Sequence, residues 1–201
     1  MNTQRRCLLI GSGLMVLAPM SVWASQLEEQ LADNVASTMR RSVNNVSPAR
    51  LVFSSEQAGQ AWLAEMSARL AKFISNPKER ETILINVQYE AKRAGLDVQL
   101  VLGLIEVESM FRRYAISVVG ARGLMQVMPF WVRHIGTSQH NLFDVRTNLR
   151  YGCTILRYYI DREKGNVVRA LARYNGSLGR MTYPNKVYGA LNRNWLYNGA
   201  L

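Results

Sequence analysis

Cysteine and histidine are scarce in this sequence, and their positions exclude several kinds of site. The 201 residues include two cysteines and two histidines. Cys7 lies in the N-terminal apolar stretch, which leaves Cys153 as one thiol that we interpret as a small buried hydrophobic residue. One thiol cannot form an internal disulfide, so packing alone must hold the fold. His134 and His140 have no cysteine or acidic residue at metal-ligand spacing, and we predict no metal and no cofactor.

Acidic residues are also few relative to basic ones. The chain has 25 Lys and Arg against 14 Asp and Glu, a formal net charge of +11. Such a charge favours anionic partners, namely nucleic acid, anionic lipid or an acidic cell-wall polymer. No cluster of basic residues interleaved with aromatics and no nucleic-acid motif is present, so we expect no nucleic-acid partner.

The first 24 residues differ in kind from the rest. Two arginines precede an apolar stretch over residues 7–22, and Val22-Trp23-Ala24 places small residues at the positions that determine cleavage. This pattern predicts a secretory signal peptide, residues 1–24, and a periplasmic protein that meets the membrane only during export. Loss of the two arginines would lower the net charge from +11 to +9. The alternative is a retained membrane anchor, although the stretch is short for a membrane-spanning helix, and both Sec and twin-arginine export stay open.

Hydrophobic residues recur at helical spacing along most of the remaining chain, and no segment sustains a period of two. We therefore predict an all-α fold: one helical domain, residues 76–201, preceded by an N-terminal arm and helical extension, residues 25–75. Residues 25 to about 53 are expected to form a loosely packed arm, and the helix after it is predicted to bury a stripe of Trp62, Met66, Leu70 and Phe73. Side-chain caps and proline predict helix starts at Ser54 or Ser55, at Asn76-Pro77 and at Asp97. Further helices are predicted near residues 27–40, 128–135, 145–163, 166–174 and 185–192.

The apolar run over residues 104–111 contains two acids, Glu106 and Glu108, followed by Ser109. Apolar surroundings and a nearby helix C-terminus both disfavour a charged carboxyl group, so the pKa of Glu108 is predicted to rise. A carboxylic acid that stays protonated near neutral pH can donate a proton to a leaving oxygen. Because the two acids point about 200° from each other on a helix, they cannot flank one bond. We interpret Glu106 as a surface carboxylate paired with an arginine.

Two later motifs carry neutral polar side chains in apolar surroundings. Gly123-Leu124-Met125-Gln126 offers an amide that suits the N-acetyl and hydroxyl groups of a sugar, although an incidental glutamine at a helix start is an equal alternative. Ala172-Arg173-Tyr174-Asn175 places a phenol and an amide at a helix end, which suits a sugar but also a helix C-cap beside a core tyrosine. Tyr188 is a further tyrosine that could reach an acid across a cleft.

In their order and approximate spacing, these motifs resemble the family 1 lytic transglycosylases, whose catalytic domain is similar in fold to goose-type lysozyme. Each motif alone is weak, and the specific feature is the ordered set over roughly residues 84–192. The chain departs from the family at Gly176-Ser177-Leu178, where many relatives have Ala-Gly-Pro. Contacts just beyond Asn175 are therefore not carried over.

The resemblance implies cleavage of the β-1,4 bond between N-acetylmuramic acid and N-acetylglucosamine in peptidoglycan. Glu108 would protonate the glycosidic oxygen and then take the proton of the muramic acid C6 hydroxyl, which closes onto C1 as a 1,6-anhydro sugar. Tyr188 would hydrogen-bond Glu108. The residues implied in substrate binding are Ser109, Met125, Gln126, Tyr174, Asn175 and Tyr188.

Two other functions stay open. A hydrolytic muramidase of the same fold often needs a second carboxylate to hold water, and Asp144 is the only acid between Glu108 and Asp161. A non-catalytic peptidoglycan-binding module would need only the basic surface. Glycan strands of peptidoglycan are the expected partner in each case, while wall recycling, secretion machinery, cell-wall assembly and cell division stay open as settings.

Overall fold

The computed structural model describes residue 26 and residues 31–44 and 47–199. These residues form eight α-helices and a π-helical segment, Leu191–Trp195, with no β-structure beyond isolated bridges. The helices are α1 Asp33–Val43, α2 Glu56–Leu70, α3 Pro77–Arg93, α4 Val98–Ser109, α5 Phe130–Ile135, α6 Val145–Arg162, α7 Val167–Tyr174 and α8 Thr182–Ala190. The all-α prediction is confirmed, whereas the predicted signal peptide lies outside the described residues. No helix in the described part of the chain is both long and apolar enough to cross a membrane.

Local capping explains where several helices begin. The Ser55 hydroxyl accepts a hydrogen bond from a first-turn amide of α2 at 3.1 Å, and Asp97 Oδ1 accepts one in α4 at 2.8 Å. Asn76 caps α3 in the same way, and Pro77 occupies the first helical position, where no amide hydrogen is needed. These three predicted starts are confirmed.

Helix α4 runs through the core and is buried on almost every side. Gly103 lies where α8 crosses α4, and a Cβ there would stand 3.0 Å from the Val187 carbonyl oxygen. The missing side chain lets the two helix backbones approach closely. Because Tyr183 contacts Glu108 further along α4, the two helices run antiparallel and the start of α8 reaches the C-terminal end of α4.

The N-terminal helices belong to the same core as the rest of the chain. Met39 and Val43 of α1 are buried, and α1 packs against α5 and α6. Trp62 and Met66 of α2 are fully buried, and α2 packs against α3. The prediction of a loosely packed arm is therefore wrong for α1, because this helix presents buried apolar side chains to the common core. The buried stripe predicted on α2 is confirmed at Trp62, Met66 and Leu70. The division of the chain at residue 75 stays a prediction.

A buried ion-pair network joins α3 to α6. The Glu90 side chain is fully buried and accepts hydrogen bonds from Arg93 Nε at 2.7 Å and from Arg150 Nε at 3.2 Å. Removing one partner of such a network leaves a buried charge uncompensated, so the network fixes how α6 lies on α3. Helix α6 in turn carries Asn148, which contacts the turn over residues 123–126.

Candidate active site

Glu108 lies at the C-terminal end of α4, where the helix stops abruptly. It is the penultimate residue of the helix, and Met110 and Phe111 follow with left-handed φ angles of 51° and 59°. This turn leaves the Glu108 side chain partly exposed at the edge of the core. The negative end of the helix dipole lies beside it and disfavours a second negative charge.

Tyr183 of α8 holds the Glu108 carboxyl group. Its hydroxyl donates a hydrogen bond to Glu108 Oε1 at 2.5 Å. Loss of hydration raises the pKa of Glu108 from 4.5 to about 7, and the hydrogen bond from Tyr183 opposes this rise. The direction predicted from the sequence is confirmed. Near neutral pH both the acid and the carboxylate are populated, so the group can donate a proton in one step and accept one in the next.

The turn that begins at Gly123 lies beside the end of α4. The buried Ser109 hydroxyl donates a hydrogen bond to the Leu124 carbonyl oxygen at 2.8 Å, which ties the helix end to the turn. Gly123 has a φ angle of 74°, and a Cβ there would collide with the Asn148 side chain, so the position requires glycine. Asn148 Oδ1 accepts a hydrogen bond from the Met125 amide at 2.8 Å. Buried hydrogen bonds thus fix both the end of α4 at Ser109 and the turn that begins at Gly123.

Gln126 and Tyr174 continue the site. Gln126 has a left-handed φ angle of 47°, and its Nε2 donates to the Gly123 carbonyl oxygen at 3.0 Å, so the side chain folds over its own turn. The buried Tyr174 hydroxyl donates to the Met125 carbonyl oxygen at 2.7 Å. Burial, followed by the nearby Glu108 charge, raises the pKa of Tyr174 well above its usual value. Its hydroxyl therefore stays a hydrogen-bond donor at neutral pH.

The structure thus gathers most of the predicted site residues around one titratable acid. The side chains gathered around Glu108 are uncharged: the phenols of Tyr174 and Tyr183, the hydroxyl of Ser109 and the amide of Gln126. Ser109, Gln126 and Tyr174 each donate to a backbone carbonyl oxygen, so these side chains shape the turn beside Glu108. The single carboxyl group of Glu108 is the group that can transfer protons here. The predicted residues brought together are Glu108, Ser109, Met125, Gln126 and Tyr174.

A family model described as the transglycosylase SLT domain matches residues 85–195 of the chain. This chain belongs to the transglycosylase SLT domain family. The matched segment includes Glu108, Tyr183 and the turn that begins at Gly123. It begins within α3 and ends with the π-helical segment.

Several known proteins are similar to this SLT domain. The "Transglycosylase" of Enterobacteria phage PRD1 is 36% identical over 104 residues, which are 48% of this chain and 38% of that protein. "Membrane-bound lytic murein transglycosylase C" of Mannheimia succiniciproducens is 29% identical over 144 residues, 63% of this chain and 40% of that protein. An X-ray structure of an inactive mutant of lytic transglycosylase Slt from Pseudomonas aeruginosa is 24% identical, with a TM-score of 0.44, over 78% of this chain and 32% of that one. The chain spans less than half the length of these relatives.

The tyrosine that contacts Glu108 in this SLT domain is not the one that the sequence predicted. Burial and the nearby Asp97 charge raise the pKa of Tyr188, so Tyr188 lies towards the start of α4. Asp97 caps that start, and Glu108 lies eleven residues later, roughly 16 Å along the helix at its ordinary rise. The hydrogen bond predicted for Tyr188 is therefore wrong, while its part in substrate binding stays a prediction. Tyr183 was missed because α8 begins at Thr182, three residues before the predicted start.

Glu106 of the SLT domain faces away from Glu108. It is buried, and its carboxyl group accepts hydrogen bonds from Trp195 Nε1 at 2.7 Å and from Asn194 Nδ2 at 2.8 and 2.9 Å. The interpretation of Glu106 as a surface carboxylate is wrong, because the π-helical segment folds over it. An arginine is nearby, since Arg193 Nη2 lies 3.9 Å from Glu106 Oε1.

Two further polar residues of the SLT domain have local structural partners. The backbone amide of Asn175 donates to the Leu171 carbonyl oxygen at 3.1 Å, and Asn175 ends α7. This contact does not involve its side chain, whose part in substrate binding stays a prediction. Asp144 Oδ1 accepts from the Thr147 amide at 2.8 Å and caps α6. Asn148 supports the site by binding the turn that begins at Gly123. The sequence did not predict this role, because no local pattern indicates which distant segment an asparagine inside a helix will contact.

Proposed function

We propose that this protein is a peptidoglycan lytic transglycosylase that cleaves the bond between N-acetylmuramic acid and N-acetylglucosamine and leaves a 1,6-anhydro sugar. The observation that carries the proposal is the state of Glu108. Its pKa of about 7 and its hydrogen bond from the Tyr183 hydroxyl suit a group that must act first as an acid and then as a base. Membership of the SLT family and the lytic murein transglycosylase name of a relative support this substrate.

In the first step, protonated Glu108 donates its proton to the glycosidic oxygen while the bond between that oxygen and C1 of the muramic acid breaks. The leaving sugar departs with a neutral hydroxyl. Negative charge develops on Glu108 as positive charge develops at C1, so the two charges stabilise each other. The Tyr183 hydroxyl donates to the new carboxylate and stabilises it further.

In the second step, the Glu108 carboxylate takes the proton from the C6 hydroxyl of the same muramic acid. The C6 oxygen forms a bond to C1 and closes the 1,6-anhydro ring. Glu108 ends the cycle protonated, as it began, and no water is consumed. Because the substrate itself supplies the nucleophile, one protein carboxyl group is enough.

The neighbouring acids favour this chemistry over hydrolysis. An inverting glycosidase uses a second carboxylate roughly 6.5–9.5 Å from the acid to activate water. Glu106 instead binds Trp195 on another side of α4, and Asp144 caps α6. Neither acid is available to hold a water molecule opposite Glu108.

The proposed setting is the periplasm. A signal peptide over residues 1–24 would export the chain, and its removal would leave a net charge of +9, as worked out from the composition. Such a charge would hold the enzyme near an anionic wall, and this attraction weakens as salt screens it.

Digestion of purified sacculi tests the proposal. Wild-type protein is expected to release fragments whose terminal muramic acid is lighter by one water, as mass spectrometry of the products would detect. Glu108→Gln should abolish release, because an amide cannot donate the proton. Glu81→Gln, at an exposed residue of α3, is the matched control and should cleave normally. Reducing-end products would instead establish a muramidase, and sacculus binding without any release would establish a binding module.

A further inference from the structure

Gln26 lies against the candidate active site although it precedes all of the helices. Only 5% of its surface is exposed. Its Nε2 donates a hydrogen bond to the Gln126 carbonyl oxygen at 3.4 Å, and its Oε1 accepts one from the Met128 amide at 3.3 Å. The Gln26 side chain also lies near the Tyr174 hydroxyl, where it opposes the rise in the pKa of Tyr174. An N-terminal residue therefore occupies backbone polar groups in and just after the turn that carries Met125 and Gln126 of the candidate site.

The chemistry of these contacts resembles that of the proposed substrate. The Gln26 carboxamide presents an N–H group and a carbonyl oxygen side by side, and the backbone from Gln126 to Met128 binds both. The acetamido group of an N-acetylated sugar presents the same donor and acceptor on one amide. A backbone edge that pairs with a glutamine amide can pair with a sugar acetamido group in the same way.

We propose that Gln26 is an intramolecular competitor of the glycan, bound to the backbone of Gln126 and Met128 until an acetamido-bearing sugar displaces it. The inference rests on the proposed function, because it concerns regulation of that site. Both hydrogen bonds are longer than the usual 2.9–3.0 Å, so this contact is weak and reversible. A weak competitor raises the apparent KM and leaves kcat unchanged, since substrate binds only the uncovered fraction of the molecules.

Two substitutions in the full chain test the competition. Gln26→Ala removes the amide, and Gln26→Glu keeps its size but cannot donate to the Gln126 carbonyl oxygen. Both should lower the KM for solubilised glycan strands by about two- to fivefold at unchanged kcat, as expected for loss of one or two weak hydrogen bonds. Gln57→Ala, at an exposed glutamine of α2, is the matched control and should leave KM unchanged.

A binding measurement separates this inference from the proposed function. In a Glu108→Gln background, which prevents turnover, tri-N-acetylchitotriose is titrated by calorimetry with and without Gln26→Ala. The expected result is about two- to fivefold tighter binding in the double variant. Equal binding, weaker binding, or no binding by either protein would overturn the competition. If wild type leaves sacculi intact but the double variant binds the trisaccharide more tightly, the proposed function fails and the competition stands.

Discussion

Tyr183→Phe isolates the contribution of one hydroxyl group to the chemistry of Glu108. The substitution keeps the ring of Tyr183 but removes the donor that lies 2.5 Å from Glu108 Oε1. That hydrogen bond lowers the pKa of Glu108, while burial raises it to about 7. Without the donor only the upward effect remains, so the pKa of Glu108 must rise further.

The size of the effect follows from the strength of a hydrogen bond to a charged group. At roughly 1.5 kcal/mol, its loss raises the pKa of Glu108 by about one unit. The same loss of carboxylate stabilisation in the transition state slows kcat by about tenfold. Since the first step needs protonated Glu108, activity falls as pH rises through its pKa, and this alkaline limb should move up by about one unit in the variant.

The assay is the pH dependence of kcat/KM on soluble glycan strands, combined with carbon NMR titration of the Glu108 carboxyl group. Tyr188→Phe is the matched control, because Tyr188 lies towards the other end of α4. It should leave both the alkaline limb and kcat unchanged. An alkaline limb that stays in place or moves down in Tyr183→Phe, or an equal shift in Tyr188→Phe, would refute the assignment of Tyr183.

Three further predictions concern stability and support of the site. Glu108→Gln should stabilise the fold by about 1–3 kcal/mol at pH 8 but little at pH 4, as urea titrations at both pH values would measure. The reason is that the native pKa of Glu108, about 7, exceeds its unfolded value of 4.5, so the wild-type protein loses stability as the pH rises between these two values. Asn148→Ala removes three hydrogen bonds, two of them buried, and should cost about 2–4 kcal/mol in urea unfolding and lower kcat. Trp195→Phe leaves Glu106 with fewer donors and should cost about 1–3 kcal/mol in the same assay. Trp62→Phe is the comparison, since Trp62 Nε1 has no hydrogen-bond partner among the described residues.

The sequence predicted those features that depend on neighbouring residues. Ser55, Asn76 and Asp97 cap helices because an oxygen on each side chain reaches an amide of the following turn, a contact decided within four residues. The apolar run around Glu108 likewise predicted its raised pKa. Helix α8 has no such local signal, because Met181 precedes it and offers no side-chain cap. Its predicted start was therefore three residues late.

Features that depend on long-range packing could not be predicted in this way. The choice of Tyr183 over Tyr188 depends on the register in which α8 crosses α4 at Gly103, which no local pattern reveals. The burial of Glu106 depends on Trp195, 89 residues away in sequence. The position of Gln26 depends on a match between one amide and a backbone edge that forms only when the distant turn has folded.

Glu106 and Glu108 have different partners although they are two residues apart on α4. The carboxyl group of Glu106 accepts three N–H hydrogen bonds from Asn194 and Trp195, whereas Glu108 accepts one O–H hydrogen bond from Tyr183. A rotation of α4 that moved Glu108 away from Tyr183 would also withdraw Glu106 from its donors. The fully buried Trp195 indole left without a partner would cost roughly 1–3 kcal/mol. The π-helical segment therefore fixes the rotation of α4 about its axis. In this way it determines where the proton of Glu108 is presented, although it does not itself hydrogen-bond that acid.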